Sequence, residues 1–374
     1  MFTIEMLPAN EGDALWIEYG DPAAPHRILI DCGRKTAYRA VTERLGDDVT
    51  FELFVLSHVD ADHIAGAVPL MNDQRFTKEA VRDVWFNGWR HLNGLHKDDD
   101  GPKILGAKQG EYFAALIRER GFSWNQDFGG HPVVIPEEGP LPRVELEGGM
   151  VLTLLGPTHA KMSAMRDRWQ DEIEDLDGLD PGDWETALER LQTDRGAKSD
   201  IPVLGHDPFE GPLTDAAIEE LASHPFDADG SEPNGSSISF LAEYDGKAVI
   251  FSGDAHAPQL TAAIRRLCAE RGVETLRVDA LKMAHHGSAR NNDYELLAAL
   301  DCDAFLLSSN GTRHHHPDAE AVARIVNTRE SSTLYFNYRS PESELWDAPD
   351  LAASWGWTAV YPEPGDEGLK VDLG

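Results

Sequence analysis

The sequence predicts an α/β fold in which β-sheet is covered by helix, and three stretches predict it. Residues 14–70 read as two strands, a helix, a further strand, a polar loop and the start of another helix. Residues 236–254 read as a hairpin closed by Asp245-Gly246, and residues 258–327 alternate helix with strand.

The 374 residues are 41% apolar, enough for one large core or two moderate ones, and this excludes disorder throughout. Against 33 basic residues stand 66 acidic ones, a formal charge of −33. That charge opposes a broad basic nucleic-acid-binding surface, so a polyanionic substrate must be drawn by metal or by a local patch. No stretch approaches the roughly 20 apolar residues of a membrane span, and the start of the chain lacks a basic region followed by an apolar one, so a cytoplasmic protein is expected. Cys32, Cys268 and Cys302 are odd in number and show no Cys-x-x-Cys spacing, which argues against both a disulfide framework and a thiolate zinc knot. Nothing in the pattern sets an oligomeric state.

Taken in order, Ala14–Tyr19 and His26–Asp31 are predicted strands joined by a turn-rich Gly-Asp-Pro segment, and residues 34–46 look helical. Phe51–Leu56 is a short buried strand, and residues 64–70 can open a helix. The loop between them carries His58, Asp60, Asp62 and His63 within six residues. Two imidazoles and two carboxylates in so short a loop need a neutralising cation, which makes this a metal-site spacing. Further on, Val81–Phe86 reads as a strand and residues 110–120 as a helix. The loop 87–102 between them, with Trp89, His91 and His96, reads equally as a lid or as a surface loop. Residues 143–157 form a hairpin about Gly148-Gly149 that leads into Pro157-Thr-His159. Residues 161–232 are an acidic insertion of helices and loops, helical at 183–192, read foremost as a solvated face. After the 236–254 hairpin come a helix at 258–271, a strand at 275–283 running into Ala284-His-His-Gly-Ser288, a helix at 292–300, a strand at 304–308 and a helix at 318–327. The two hairpins ending at Asp31 and Asp254 parallel one another as a weak internal duplication.

His58-Val-Asp-Ala-Asp-His63 resembles the His-x-His-x-Asp-His signature of metallo-β-lactamase-fold hydrolases, in the variant where the second His is Asp. That variant is similar to the metallo-β-lactamase domain of ComEC-type competence proteins and their stand-alone soluble relatives. The likeness recurs in order at Gly12-Asp13, Asp31-Cys-Gly33, Gly253-Asp254, Lys282-Met-Ala-His-His-Gly-Ser288 and His316-Pro317. The resemblance implies a single αββα domain over residues 1–374, two mixed sheets flanked by helices, with 161–232 inserted in it.

It further implies a site with two divalent ions, Zn or Mn. His58 and Asp60 would hold one, Asp62 and His63 the second, and Asp254 would bridge them, with His286, or as second choice His285, adding to the second ion. Pro157-Thr-His159 has the spacing of the family's further ligand, although relatives of the ComEC type commonly lack that histidine. Asp31 would brace the metal loop, and Asp13 would do the same or merely occupy a turn. Asp60 in place of His favours harder cations than imidazole alone. Two ions about 3.5–4 Å apart can share and deprotonate a water and clamp a substrate oxygen. Asp62 would orient that hydroxide, His316 would protonate the leaving group, Lys282 would act with them on the substrate as a catalytic residue, and Ser288 and Asn310 would bind the substrate. His314 and His315 are left out of the site. The expected activity is hydrolysis of a phosphodiester in nucleic acid or a nucleotide; the alternative is hydrolysis of a small ester, lactone or amide on the same scaffold.

Overall fold

The computed structural model describes residues 1–46, 49–92, 106–174, 179–193 and 208–374. One sheet contains β1 (Phe2–Met6), β2 (Leu15–Asp21), β3 (Ala24–Ile30), β4 (Leu53–Val55), β5 (Val84–Trp85) and, from the far end of the chain, β16 (Leu369–Asp372). Its spatial order is β16-β1-β2-β3-β4-β5, antiparallel as far as β3 and parallel from there. The second sheet contains β6 (Arg143–Glu145), β7 (Val151–Gly156), β8 (Ser239–Tyr244), β9 (Lys247–Phe251), β11 (Ala280–Lys282), β13 (Ala304–Leu307), β14 (Ser332–Phe336) and β15 (Trp357–Val360). Its order is β15-β14-β13-β11-β9-β8-β7-β6, parallel over the first five and antiparallel over the rest. Short β10 (Leu276–Arg277) and β12 (Leu300–Asp301) pair on their own.

Alternation along the first sheet decides the layering. Ile4, Ile17, Ile28, Ile30, Val55 and Trp85 join the core cluster that includes Leu154, Phe240 and Phe251 of the second sheet. Trp85 meets Phe240 edge-on at 6.2 Å between ring centroids, across the two sheets. The opposite residues Trp16, Leu29, Phe54 and Val84 join a separate cluster with Phe113 and Leu116 of the helix Ala107–Glu119 and Trp169 of the helix His159–Glu174. The outer face of the second sheet is covered by the helices Ala257–Arg271 and Ala319–Thr328. The order is therefore helix, sheet, sheet, helix.

Several expectations change. The helix at 34–46 contracts to Tyr38–Thr42, because it buries only Val41 and Thr42 and has little apolar face to extend. The strand at 275–283 splits into β10 and β11, because Asp279 turns aside to accept the amide of Ala248 at 2.9 Å. The helix at 292–300 shortens to Tyr294–Ala298 and gives way to β12. The insertion is not merely a solvated face: Met162, Trp169, Ile173 and Leu179 pack into the outer cluster. Glu111 there accepts the Trp169 indole N–H at 2.8 Å and the Gly182 amide at 3.0 Å, and burial pushes its carboxyl up to about 7. Of the loop 87–102, Trp89–Leu92 forms a short helix with His91 edge-on to Trp124, while His96 lies outside the described residues.

The turn after β1 touches the polar loop after β4. A Cβ on Gly12 would lie 1.8 Å from the carbonyl oxygen of Asp62, so only glycine allows this approach. Gly12→Ala is expected to lose about 1–3 kcal/mol of stability, as overpacking does. Urea denaturation checks this, and a midpoint equal to the parent's contradicts the contact.

Candidate metal centre

Strand ends of both sheets deliver the site. From the first sheet, β3 leads into Asp31, held at φ 58, and β4 leads into Ser57 and His58. Asp31 Oδ1 accepts the Ser57 amide at 2.7 Å, and its Oδ2 accepts the Ser57 hydroxyl at 2.6 Å and His63 Nδ1–H at 2.7 Å. Asp60 precedes a one-turn helix, Ala61–Ile64, that carries Asp62 and His63. From the second sheet, β9 leads through Gly253 to Asp254, and β11 leads to His285 and His286 at φ 48 and 56. Consecutive non-glycine residues at positive φ cost on the order of 1–3 kcal/mol each, and such strain gathers at functional sites.

Four imidazoles turn Nε2 toward one oxygen, Asp254 Oδ2: His63 at 3.3 Å, His58 at 3.7 Å, and His285 and His286 at 3.8 Å. Asp62 Oδ2 stands 3.3 Å from His286 Nε2, and Asp60 Oδ2 3.7 Å from His58 Nε2. Behind three of the rings Nδ1 has a hydrogen-bonding neighbour, and behind the fourth it faces a carboxylate. His63 uses Asp31, His58 lies 3.0 Å from Ser57 Oγ and 3.3 Å from Ser237 Oγ, and His285 lies 3.0 Å from Asn291 Oδ1. His286 Nδ1 is 3.5 Å from Asp13 Oδ1, whose other oxygen takes Lys282 Nζ at 2.9 Å.

Asp13, His63, Asp254 and His286 also present donor atoms within 4.8 Å of one another. Because one Asp13 oxygen is engaged by Lys282 and the other faces the back of His286, Asp13 is a brace for that ring, as carboxylates behind metal-binding histidines are.

Among the described residues several atoms at the front of the cluster have no hydrogen-bond partner. Asp60 Oδ1, Asp254 Oδ1 and the Nε2 atoms of His58, His63 and His286 are buried without a hydrogen bond. Orphaned buried polar groups cost about 1–3 kcal/mol each, so their convergence on one spot fits a cation. Electrostatics agree. Burial alone would raise the Asp254 carboxyl, yet the surrounding imidazoles, His63 foremost, hold it well below the usual range. Burial would likewise lower His286, but Asp254 and Asp13 outweigh it and raise the ring to about 9. Imidazole with carboxylate suits Zn²⁺, Fe²⁺ or Mn²⁺.

The remaining expected residues divide. His316 is buried, its ring 5.1 Å from that of His285 and 6.5 Å from that of His286, with Nδ1 3.0 Å from Asp318 Oδ1. Lys282 does not face a substrate: it is fully buried, because it ends a core strand and its ammonium reaches back to Asp13 and the Met283 carbonyl. Ser288 is buried, and its Oγ accepts the Arg290 amide at 3.3 Å. Asn310 caps its own turn, its Oδ1 accepting from the amide and hydroxyl of Thr312. His159 is exposed as the first residue of its helix, and no contact joins it to the cluster among the described residues.

His314, set aside from the sequence, stacks on His316 at 5.9 Å, and burial, with His316 beside it, pushes it down to about 4 against the pull of Asp62. His315 turns away to Glu342 at 3.0 Å. Behind His285, Asp229 Oδ2 accepts from Asn291 Nδ2 at 3.0 Å, and nothing in the sequence reading singles out Ser57, Ser237, Asn291 or Asp229. Of these only Ser57, adjacent to His58, had a signal in the motif. Cys32 is buried, and its thiol is pushed up by burial.

Elemental analysis of the purified protein is expected to find bound divalent metal. Asp254→Ala is expected to lose it while its circular dichroism stays that of the parent. A variant that keeps the metal contradicts the central place of Asp254.

No family model matches the chain, and no curated protein matches it. Among the described residues no helix is long and apolar enough to cross a membrane. Among solved structures, the chain is similar to the metallo-beta-lactamase fold protein YhfI from Bacillus subtilis, at 8% identity and a TM-score of 0.41, over 99% of this chain and 98% of that one. It is similar to Zn(2+)-bound PqqB from Methylobacterium extorquens at 12% identity and a TM-score of 0.40, over the full length of both. It is also similar to CmlA, a diiron beta-hydroxylase from Streptomyces venezuelae, at 12% identity and a TM-score of 0.40, over all of this chain and 54% of that one.

Proposed function

We propose that the chain is a dinuclear metal-dependent hydrolase that cleaves a phosphodiester bond. The observation that carries this reading is the set of buried, unpartnered nitrogen and oxygen atoms facing one another around Asp254. His58 and Asp60 would hold one ion, Asp62, His63 and His286 the other, and Asp254 would lie between. Two divalent cations in that place supply Lewis acidity to a substrate oxygen and make water a better nucleophile at neutral pH.

The chain's own residues do the rest. Asp31 and Asp13 keep His63 and His286 aimed by holding their Nδ1 sides. Asp318 accepts from His316 Nδ1–H and burial disfavours the charged ring, so Nε2 is free to take the proton of the attacking water and then return it to the leaving oxygen. His314 stacks on that ring and limits its tilt. The ComEC-like order of motifs supports the phosphodiester.

The second reading, hydrolysis of a small ester, lactone or amide, is favoured by the formal charge of −33, which repels a long polyanion. Assay of bis(p-nitrophenyl) phosphate, single-stranded DNA, a lactone and a cephalosporin, each with Mn²⁺ and with Zn²⁺, separates the two. Absence of turnover on all four overturns both.

His316→Ala is expected to keep both ions and to lower kcat by roughly the 10²–10⁴-fold typical of a lost acid or base. The defect should shrink on p-nitrophenolate esters, whose leaving group needs no proton. Loss of metal makes His316 a ligand, and equal rates on activated and unactivated substrates make it structural.

A further inference from the structure

Beside the metal centre, behind Asp229, lies a cavity of about 630 Å³ that none of the proposed metal ligands lines. Its size is that of a site for a small organic molecule. Three observations describe what it would hold.

The first is an ammonium that no carboxylate touches, although Asp229 and Glu232 attract it from farther off. Lys161 is half-buried in the cavity wall, and its Nζ lies 2.8 Å from His256 Nδ1. Among the described residues no carboxylate stands within 4.0 Å of it, in a chain with twice as many acidic as basic residues. Since the ammonium can only donate, His256 Nδ1 accepts and Nε2 carries the hydrogen.

The second is unspent hydrogen-bonding capacity. His256 is 5% exposed, and its Nε2 has no hydrogen bond, stopping 3.7 Å short of Asp229. Both polar atoms of the Gln259 side chain in the same wall are buried without a partner.

The third is the pair of helices that begin here. The 16-residue helix His159–Glu174 starts beside Thr158, and the 15-residue helix Ala257–Arg271 starts beside His256. Two helix N-termini together favour negative charge in the space before them. Ile135, bridged to Thr158, and Pro136 supply apolar surface beside these helix starts, with Glu137 and Asp229 also in the lining, and Arg266 fixes Pro136 by donating to its carbonyl at 2.6 Å and to the Gly139 carbonyl at 2.8 Å.

We propose that this cavity binds a small organic anion, a carboxylate or phosphate on an apolar body, with Lys161 and Gln259 at the anionic head and Ile135 and Pro136 against the body. The site is independent of the assignment of the metal centre. Asp229 nevertheless joins the two places: its Oδ2 stands 3.7 Å from His256 Nε2 and 3.8 Å from His285 Nδ1.

Calorimetric titration of the purified protein with benzoate, phenyl phosphate, inorganic phosphate and benzylamine tests the proposal. Benzoate or phenyl phosphate is expected to bind one per chain, more tightly than inorganic phosphate, and benzylamine not at all. The stronger of the two identifies the head group. Lys161→Met should weaken binding about tenfold or more, the worth of one charge-assisted hydrogen bond. Lys370→Met, which removes the same charge at an exposed ion pair with Glu18, should leave binding unchanged. If Lys161→Met fails to fold, Gln259→Leu carries the same expectation. Binding should persist in Asp254→Ala. Loss there with retention in Lys161→Met places the anion on the metals and overturns the proposal. So does benzylamine binding as well as the anions, or no binding of either aromatic anion at millimolar concentration.

Discussion

An ionised carboxylate cannot lie in the interior alone, and Asp254 is 1% exposed. It is tolerated because imidazoles from two directions face it, His58 and His63 from the loop after β4 and His285 and His286 from the turn after β11. Those elements belong to different sheets, so the site exists only when the sheets are packed. The converse also holds, since the amide of Ile238 donates to the Ser57 carbonyl and the Ser308 hydroxyl to the Gly12 carbonyl, polar ties across the seam that the apolar core alone does not make.

This arrangement explains which parts were legible in sequence. His58, Asp60, Asp62 and His63 fall within six residues, so a metal site can be read from their spacing, whereas Asp254 and the His285-His286 pair were legible only through the resemblance. The two hairpins were legible from their turns, and each appears in its own sheet, β2 with β3 and β8 with β9. The braces were harder. Asp229 lies in an acidic stretch where one more carboxylate carries no signal, and Asn291 follows the histidines with no fixed spacing to announce it. Lys282 looked like a substrate-facing cation because it adjoins the motif, but strand pairing on both sides of β11 places it inside, where Asp13 neutralises it. Pro157-Thr-His159 has a ligand's spacing, yet a helix begins at His159 and leaves the ring in solvent. Strands β1, β14, β15 and β16 were not read. Phe2–Met6 does alternate apolar with polar, but β16, which closes over it, is paired from the other end of the chain.

His316 and His314 illustrate how a local rule misleads. Three consecutive histidines suggest an adventitious tract, yet His315 adopts φ 56, which turns its ring out to Glu342 while its neighbours stack together. A single backbone reversal therefore sorts three identical side chains into two environments.

Asp31 holds more of the centre than its position behind it suggests. Through Oδ2 it fixes His63, and through Ser57 it fixes His58, whose Nδ1 lies against the same hydroxyl. The aim of one imidazole is thus mechanically tied to the aim of the other, so a change at Asp31 would turn both rings at once.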